Sequence, residues 1–195
     1  AELVRPSRDY VINLDSYAPF VLVDGIYRST VSLLSRFIYY WRSRCLDRSK
    51  RYQIRTGFIF EKAVAEALER QFFAVQQITR INRHEFDVVT LRDGTIWNVQ
   101  CKNNMTDLEW IEAEPKRFAR YNRNLVLAYE RALAKERNRE GVLTAHLGND
   151  AVEHMLVSRF PVVTDNSRIV VFSQIDGFAN RADAILLSRK HNAVS

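Results

Sequence analysis

The spacing of apolar residues predicts two helices in the first half of the chain. After Ser29 and Thr30, either of which can cap a helix, apolar residues recur at helical spacing as far as Trp41. A second helical pattern covers residues 57–73, and the polar, basic stretch 47–55 before it is predicted as a connection. One face of this second helix is apolar and consists of Phe60, Val64, Leu68 and Phe72.

Runs of β-branched and aromatic residues predict strands in the rest of the chain. The predicted strands are Val75–Ile81, Phe86–Arg92, Thr95–Cys101, Met155–Thr164 and Arg168–Ile175. Asp93-Gly94 between two of these runs is a strong signal for a tight hairpin. A long helix is predicted to begin at Pro115 and to stop at Gly141, and a short one covers Arg181–Ser188. The element order is therefore helix, helix, three strands, helix, two strands and helix.

The predicted hairpin gathers polar side chains at its open end. A two-residue turn sets a register that places Asp87 opposite Gln100 and Glu85 opposite Lys102. Because side chains alternate along a strand, these four share one face, while Cys101 belongs to the apolar face and is interpreted as a core residue. Ordinary cross-strand pairs on a solvent-facing sheet are the alternative interpretation of this pattern.

Glu61 is the second unusual acidic residue, because it lies on the apolar face of the second helix. It precedes Val64 by three positions and Leu68 by seven. A carboxylate on a buried face is costly unless it is paired or binds a cation. Glu61 directed toward Asp87 would create an oxygen-rich site of the kind that Mg²⁺ prefers.

Three short motifs carry a family resemblance. They are Gly57-x-x-Phe60-Glu61, Phe86-Asp87-Val88-Val89 and Val99-Gln100-Cys101-Lys102. Together they resemble the PD-(D/E)xK nuclease superfamily, most closely its Mrr-type restriction endonuclease branch with a QxK motif. The match covers residues 57–105, about a quarter of the chain. It implies an α/β fold of the restriction-endonuclease-like class, an αβββαβ core with a mixed sheet flanked by helices, here with an N-terminal helical extension.

The resemblance also implies roles for individual residues. Asp87, Gln100 and Glu61 would bind Mg²⁺, with Mn²⁺ as a substitute. Lys102 would act on the attacking water or on the developing phosphate charge, so all four residues are candidate catalytic residues. Gln100 stands where most of the superfamily has glutamate. A carboxamide is a neutral and weaker ligand, which leaves open a catalytically inactive nucleic-acid-binding module of the same fold.

The distribution of charge points to a polyanionic partner. Of 29 basic and 23 acidic residues, which give a net charge of +6, the basic excess concentrates in residues 28–55. Basic residues near phosphates release condensed counterions, so DNA is the expected partner. The candidate nucleic-acid-binding residues are Arg42, Arg44, Arg48, Lys50, Arg51, Arg55, Arg117 and Arg120. A solvated basic helix, or a contact with a partner protein or an anionic lipid, remains the alternative.

The sequence also limits organisation and location. We expect an N-terminal arm and basic helical extension in residues 1–55 and a nuclease-like domain in residues 56–195. No apolar run is long enough to span a membrane, and two cysteines make no disulfide framework. The chain starts without methionine or a signal peptide, so we expect a cytoplasmic piece of a larger protein or complex. The predicted activity is a Mg²⁺-dependent endodeoxyribonuclease, for which cutting both strands favours a homodimer.

Overall fold

The computed structural model describes residues 4–5, 19–47, 49–104 and 115–192. The helices are α1 (Val31–Asp47), α2 (Lys50–Glu69), α3 (Pro115–Arg137), α4 (Glu140–Leu147) and α5 (Phe178–Asn192). The strands are β1 (Val4–Arg5), β2 (Phe20–Val23), β3 (Ile26–Arg28), β4 (Ala74–Gln76), β5 (Arg80–Ile81), β6 (His84–Glu85), β7 (Val88–Arg92), β8 (Thr95–Lys102), β9 (Val152–Ser158) and β10 (Ile169–Val171). A 3-10 helix, Phe172–Gly177, joins β10 to α5.

The described residues fall into two compact units. The first lies within Ala1–Ile54 and Thr106–Tyr121, and the second within Arg55–Met105 and Asn122–Ser195. In the first unit, β1, β2 and β3 form a small sheet in that order. Helix α1 then begins at a cap in which Thr30 Oγ1 accepts a hydrogen bond from the backbone N–H of Leu33 at 3.2 Å.

The second unit is a mixed α/β structure built on a five-stranded sheet in the order β10-β9-β8-β7-β4. Strands β4, β7 and β8 are antiparallel neighbours, whereas β8, β9 and β10 are parallel neighbours. Strand β8 therefore lies in the centre, with an antiparallel ladder on one side and a parallel ladder on the other. This confirms the predicted mixed sheet.

The predicted tight hairpin is present between β7 and β8. Asp93 and Gly94 both have positive φ, 50° and 68°, which matches the twist of the flanking strands. The ladder runs from Arg92 paired with Thr95 to Val88 paired with Val99, as the two-residue turn requires. The predicted register is therefore confirmed over the length of this ladder.

One face of the sheet packs against α2 and α5. Its core joins residues from α2, β8, β9 and α5: Phe60, Val64, Leu68, Trp97, Val99, Met155, Val157 and Phe178. Phe73, Trp97 and Phe178 form an aromatic cluster with edge-to-face contacts at centroid distances of 5.4 to 6.4 Å. Burial of each large side chain contributes roughly 2–3 kcal/mol, so this face anchors the unit.

The opposite face of the sheet is also covered. Val89 and Ile96 pack with Leu143 of α4, and all three are fully buried. Helix α3 lies on the same side, because its Tyr129 hydroxyl is 2.9 Å from Ser158 Oγ of β9. The sheet is thus flanked by helices on both faces, as predicted.

Several helix boundaries differ from the sequence-based expectation. The stretch 47–55 was expected to be a connection, but α2 already begins at Lys50 because lysine, arginine and glutamine are good helix formers. The same helix ends at Glu69, so Phe72, expected on its apolar face, is 90% exposed with a positive φ of 65°. Gly141 does not stop a helix but lies in the first turn of α4. Gly148, with φ of 64°, ends α4 instead.

Some predicted strands are shorter than expected. The run Val75–Ile81 is divided between β4, which pairs with β7, and β5, which pairs with β6. Strand β9 ends at Ser158, and β10 gives way to the 3-10 helix after Val171. Apolar content alone does not distinguish a strand from the buried irregular chain that follows it.

Candidate active site

Asp87 is attached to the central strand by its side chain. It lies immediately before β7, and its Oδ2 accepts a hydrogen bond from the backbone N–H of Cys101 at 2.7 Å. The backbone pairing of β7 with β8 ends at Val88 and Val99. Beyond that pair, the Asp87 carboxylate takes the place of a backbone carbonyl as the acceptor for the Cys101 N–H. The bond holds Asp87 next to the β8 segment that contains Gln100 and Lys102.

Gln100 has a buried polar atom without a partner. Its Oε1 is shielded from solvent and accepts no hydrogen bond from any described residue. Leaving a buried acceptor unsatisfied costs about 1–3 kcal/mol. Because Gln100 and Lys102 are two positions apart on β8, their side chains belong to the same face of the sheet.

The Glu61 carboxylate interacts electrostatically with Asp87. Burial first, and then repulsion by Asp87 and Glu85, raises its pKa from 4.5 to about 7. A Cβ atom added to Gly57, one helical turn earlier, would lie 3.8 Å from Glu61 Oε1. Gly57 therefore leaves space beside the Glu61 carboxylate that a larger residue would fill. The negative charges that act on this carboxylate are those of Asp87 and Glu85.

The charge of Lys102 acts on the pKa of Asp87 through space. Burial raises the pKa of Asp87 above its ordinary 3.8, although the Cys101 N–H and the Lys102 ammonium both favour the ionised form. Among the described residues, no carboxylate lies within 4.0 Å of Lys102 Nζ. The Lys102 ammonium thus acts on Asp87 but forms no ion pair with a described carboxylate.

Glu85 does not lie opposite Lys102, and this part of the predicted register is wrong. Glu85 is on β6, where it pairs with Arg80 of β5 and forms an ion pair of 2.6 Å with that guanidinium. The chain makes a separate small hairpin here, with Asn82 at a positive φ of 54°. This hairpin removes residues 84–85 from the β7–β8 ladder.

The donor set suits a hard cation, although it is small. It comprises the carboxylates of Asp87 and Glu61 and the amide oxygen of Gln100, all oxygen ligands of the type Mg²⁺ takes. In the part of the chain that the structure describes, no three His, Cys, Asp or Glu side chains are grouped to hold a metal ion. A cation bound between these groups would satisfy the Gln100 oxygen, which has no partner among the described residues, and would reduce the repulsion between the two carboxylates.

Cys101 occupies the position predicted for a core residue. It is partly buried and packs against the cluster that contains Val99 and Val157. Burial raises the pKa of its thiol well above 9.0, and the carboxylates of Asp87 and Glu61 add to the effect. A thiol of this kind is a poor nucleophile.

The predicted nucleic-acid-binding residues are divided between the two units. In the first unit Arg42, Lys50, Arg51, Arg117 and Arg120 are exposed, and in the second unit Arg55 is exposed on α2. The Arg44 side chain and the whole of Arg48 lie outside the described residues. Of these candidates, only Arg55 shares a unit with the four catalytic candidates.

Sequence reasoning missed a buried polar network beside the site. Asn98, Glu136 and His154 are 2–4% exposed, and Asn98 Nδ2 lies 3.1 Å from Glu136 Oε2 and 3.2 Å from His154 Nδ1. Repulsion by Glu136 contributes to the raised pKa of Asp87. The signal was available, because Glu136 continues the buried stripe of Tyr129 and Leu133 on α3.

Comparisons of the chain with protein-family models, with curated proteins and with solved structures find no match. No helix in the described ranges is long and apolar enough to cross a membrane. The interpretation of function therefore depends on the residues of the site and on their surroundings.

Proposed function

We propose that the chain is a metal-dependent endonuclease of the PD-(D/E)xK superfamily that hydrolyses DNA phosphodiester bonds with Mg²⁺ or Mn²⁺. The observation that carries the proposal is the buried, unpartnered Oε1 of Gln100, next in sequence to Cys101, whose backbone N–H binds the Asp87 carboxylate. Native proteins rarely leave such an acceptor unsatisfied. A cation shared by Gln100, Asp87 and Glu61 accounts for it.

The order of elements supports the restriction-endonuclease-like fold. Helix α2, strands β4, β7 and β8, helix α3 and strand β9 follow one another in the αβββαβ pattern that the resemblance implies. The β5–β6 hairpin and α4 are additions to that pattern. The site residues come from α2, the start of β7 and the end of β8, where the family motifs require them.

The chain's own side chains divide the work in this proposal. Asp87, Gln100 and Glu61 would hold Mg²⁺, which when bound lowers the pKa of water and neutralises charge on a phosphate. The Lys102 ammonium favours the ionised form of Asp87 and has no described carboxylate within 4.0 Å. It is available to orient a water molecule or to stabilise charge on the phosphate oxygens. Hydrolysis of this type needs no covalent nucleophile, in agreement with the buried Cys101.

Cleavage of supercoiled plasmid in Mg²⁺ or Mn²⁺ tests the proposal. Wild type should nick or linearise the plasmid, while Asp87→Asn and Lys102→Ala should lose at least about a hundredfold in rate. Asparagine retains an acceptor for the Cys101 N–H, so Asp87→Asn should remain folded. Arg70→Gln, an exposed change at the far end of α2, is the matched control and should cut like wild type. Cutting that is equal in all four proteins would refute the assigned residues.

A nucleic-acid-binding module without catalysis is the second candidate function. Gln100 favours it, because a neutral amide gives the site one negative charge less than the common glutamate. Such a module would bind DNA in a salt-dependent way with or without Mg²⁺. Binding that is identical in wild type, Asp87→Asn and Lys102→Ala, combined with no cleavage of plasmid, linear, branched or single-stranded DNA, would select this function.

A further inference from the structure

Arg159, which follows the last residue of β9, is attached to the end of β8 at two points. Its backbone N–H donates to the carbonyl oxygen of Lys102 at 2.9 Å. Its guanidinium Nη1 donates to Asn103 Oδ1 at 3.0 Å. Because β8 and β9 are parallel, with Lys102 paired to Ser158, their C-terminal ends reach the same edge of the sheet. The Arg159 guanidinium is thereby held one residue beyond the candidate catalytic lysine.

The charge of Arg159 is not neutralised within the described part of the chain. Its side chain is exposed, and no described carboxylate lies within 4.0 Å of its nitrogen atoms. Other arginines of this unit differ, because Arg168 and Arg189 pair with Glu153 at 2.6 and 3.3 Å. Among the described residues, the Arg159 guanidinium bonds to a neutral amide oxygen, which orients the group without cancelling its charge.

A chain of hydrogen bonds joins the segment that carries Arg159 to α3. Ser158 Oγ lies 2.8 Å from the Phe160 carbonyl oxygen and 2.9 Å from the Tyr129 hydroxyl oxygen, and it bonds to both. Asn104 Nδ2 in turn donates to the Tyr129 oxygen at 3.3 Å. Asn104 and Ser158, on the two sides of the Lys102–Arg159 contact, therefore both bond to Tyr129 of α3.

We infer that Arg159 and Lys102 form a phosphodiester-binding site that holds the nucleic-acid backbone beside the scissile bond. The inference rests on the proposed function and adds a substrate contact to it. A guanidinium that is oriented and uncompensated is suited to bidentate hydrogen bonding with phosphate oxygens. Nothing in the linear sequence indicates this pair, because 57 positions separate Lys102 from Arg159.

DNA binding measured in EDTA, where a metal-dependent nuclease does not cut, tests the inference. Fluorescence anisotropy with a labelled 30-base-pair duplex would be recorded over a range of salt concentrations for wild type, Arg159→Gln, Arg159→Lys and the control Arg70→Gln. We expect Arg159→Gln to bind about 5- to 50-fold more weakly, with the slope of log affinity against log salt reduced by about 0.9, the loss of one phosphate contact. Arg159→Lys should keep the slope and recover only part of the affinity, and the control should match wild type.

The outcomes separate this inference from the proposed function. If wild type binds and cuts DNA while Arg159→Gln has the wild-type affinity and salt slope, the inference is wrong and the nuclease proposal stands. If wild type neither binds nor cuts DNA, the proposed function fails, and the inference fails with it. Circular dichroism checks folding. If Arg159→Gln is unfolded, the affinity of Arg159→Lys tests the inference instead. Wild-type affinity in the lysine variant would exclude bidentate binding by arginine, and weaker binding would support it.

Discussion

The carboxylate of Asp87 and the backbone N–H of Cys101 are joined by a hydrogen bond of 2.7 Å. The bond connects the entrance of β7 to the one residue that separates Gln100 from Lys102. Since the donor is a backbone group, the contact is independent of the side chain at position 101. The spacing of the QxK motif is thereby linked to the position of Asp87, with Cys101 itself directed to the core.

Gln100→Glu should strengthen metal binding at the expense of stability. A third carboxylate adds charge for the cation, so we expect the Mg²⁺ concentration for half saturation to fall about tenfold or more. Without metal, the added charge repels Asp87 and Glu61 and should lower the free energy of unfolding by about 1–3 kcal/mol. Calorimetric Mg²⁺ titration and urea unfolding measure both quantities. Gln100→Met, which lacks the oxygen, should be at least as stable as wild type and should bind Mg²⁺ weakly; equal Mg²⁺ affinity in all three proteins would contradict a role for residue 100 as a ligand.

Glu61 should make the metal-free protein less stable as pH rises. The pKa of Glu61 is about 7 in the folded state and 4.5 in the reference state, so between these values the folded state keeps a proton that the unfolded state releases. The Glu61 contribution to the free energy of unfolding should therefore fall as pH rises from 4.5 to 7. Glu61→Gln removes this dependence and should be more stable than wild type at pH 8. Because Glu61 is only half-buried and screened by solvent, the gain should be about 1 kcal/mol or less.

Added Mg²⁺ should make wild type more stable than Glu61→Gln, the reverse of their order without metal. Urea unfolding at pH 8 with saturating Mg²⁺ should show wild type stabilised and Glu61→Gln stabilised less, because the variant has lost a ligand. The same stabilisation by Mg²⁺ in both proteins would show that Glu61 does not contact the cation.

His154 should give the opposite pH dependence in the acid range. Burial lowers its pKa below the ordinary 6.5, although the nearby Glu140 acts in the other direction. The unfolded state then takes up a proton first, so the His154 contribution to the free energy of unfolding should fall as pH decreases below 6.5, opposite in sign to that of Glu61. In urea unfolding between pH 7 and 5, His154→Gln, which retains an acceptor for Asn98, should therefore lose less stability on acidification than wild type. An acid limb of the wild-type slope in the variant would assign the effect to other groups.

Asn98→Ala should be strongly destabilising. The Asn98 amide contacts both Glu136 and His154. Among the described residues, its removal leaves the buried Glu136 with the bond from Arg139 Nη1, at 3.3 Å. Loss of a hydrogen bond to a buried charged group costs about 1.5–3 kcal/mol. Thermal and urea unfolding measure the loss, with the exposed change Gln77→Ala as a near-neutral control. A loss of less than about 1 kcal/mol, the size of an ordinary hydrogen bond, would mean that the network is hydrated or rearranges.

Two substitutions of Trp97 separate the contribution of core packing to stability from that of hydrogen bonding. The residue is fully buried in the cluster with Phe73 and Phe178, and its Nε1 has no partner among the described residues. Trp97→Phe removes that unsatisfied donor and should cost less than about 1.5 kcal/mol, whereas Trp97→Ala should cost about 3–5 kcal/mol through the cavity it leaves. Urea unfolding followed by circular dichroism tests the difference; equal losses would show that the indole is not held by packing.

Local chemistry explains which parts of the structure were predictable. Asp93-Gly94 fixes the turn type, and the turn type fixes the register from Arg92–Thr95 to Val88–Val99. Helical spacing likewise placed Val64 and Leu68 in the core. The predicted pairing of Glu85 with Lys102 is wrong, because Glu85 instead pairs with Arg80 in a separate hairpin that turns at Asn82.

The remaining parts depend on contacts between distant segments. The start of α2 at Lys50 was missed because a basic, polar stretch has no apolar period, although its residues favour helix. Arg159 comes near Lys102 only through the parallel pairing of β8 and β9. Glu136 is the intermediate case, since its place on an apolar stripe was visible in the sequence while its partner Asn98 was not.

The central place of β8 has a consequence for how the chain is made. Until β9 is synthesised, some 50 residues after the end of β8, the strand that contains Gln100 and Lys102 has one bare edge of backbone N–H and C=O groups. A truncated chain that stops at Leu147 would keep that edge permanently. Bare, apolar strands of this kind add further strands from other chains. Fragments cut before β9 should therefore aggregate, even though they contain all four candidate catalytic residues.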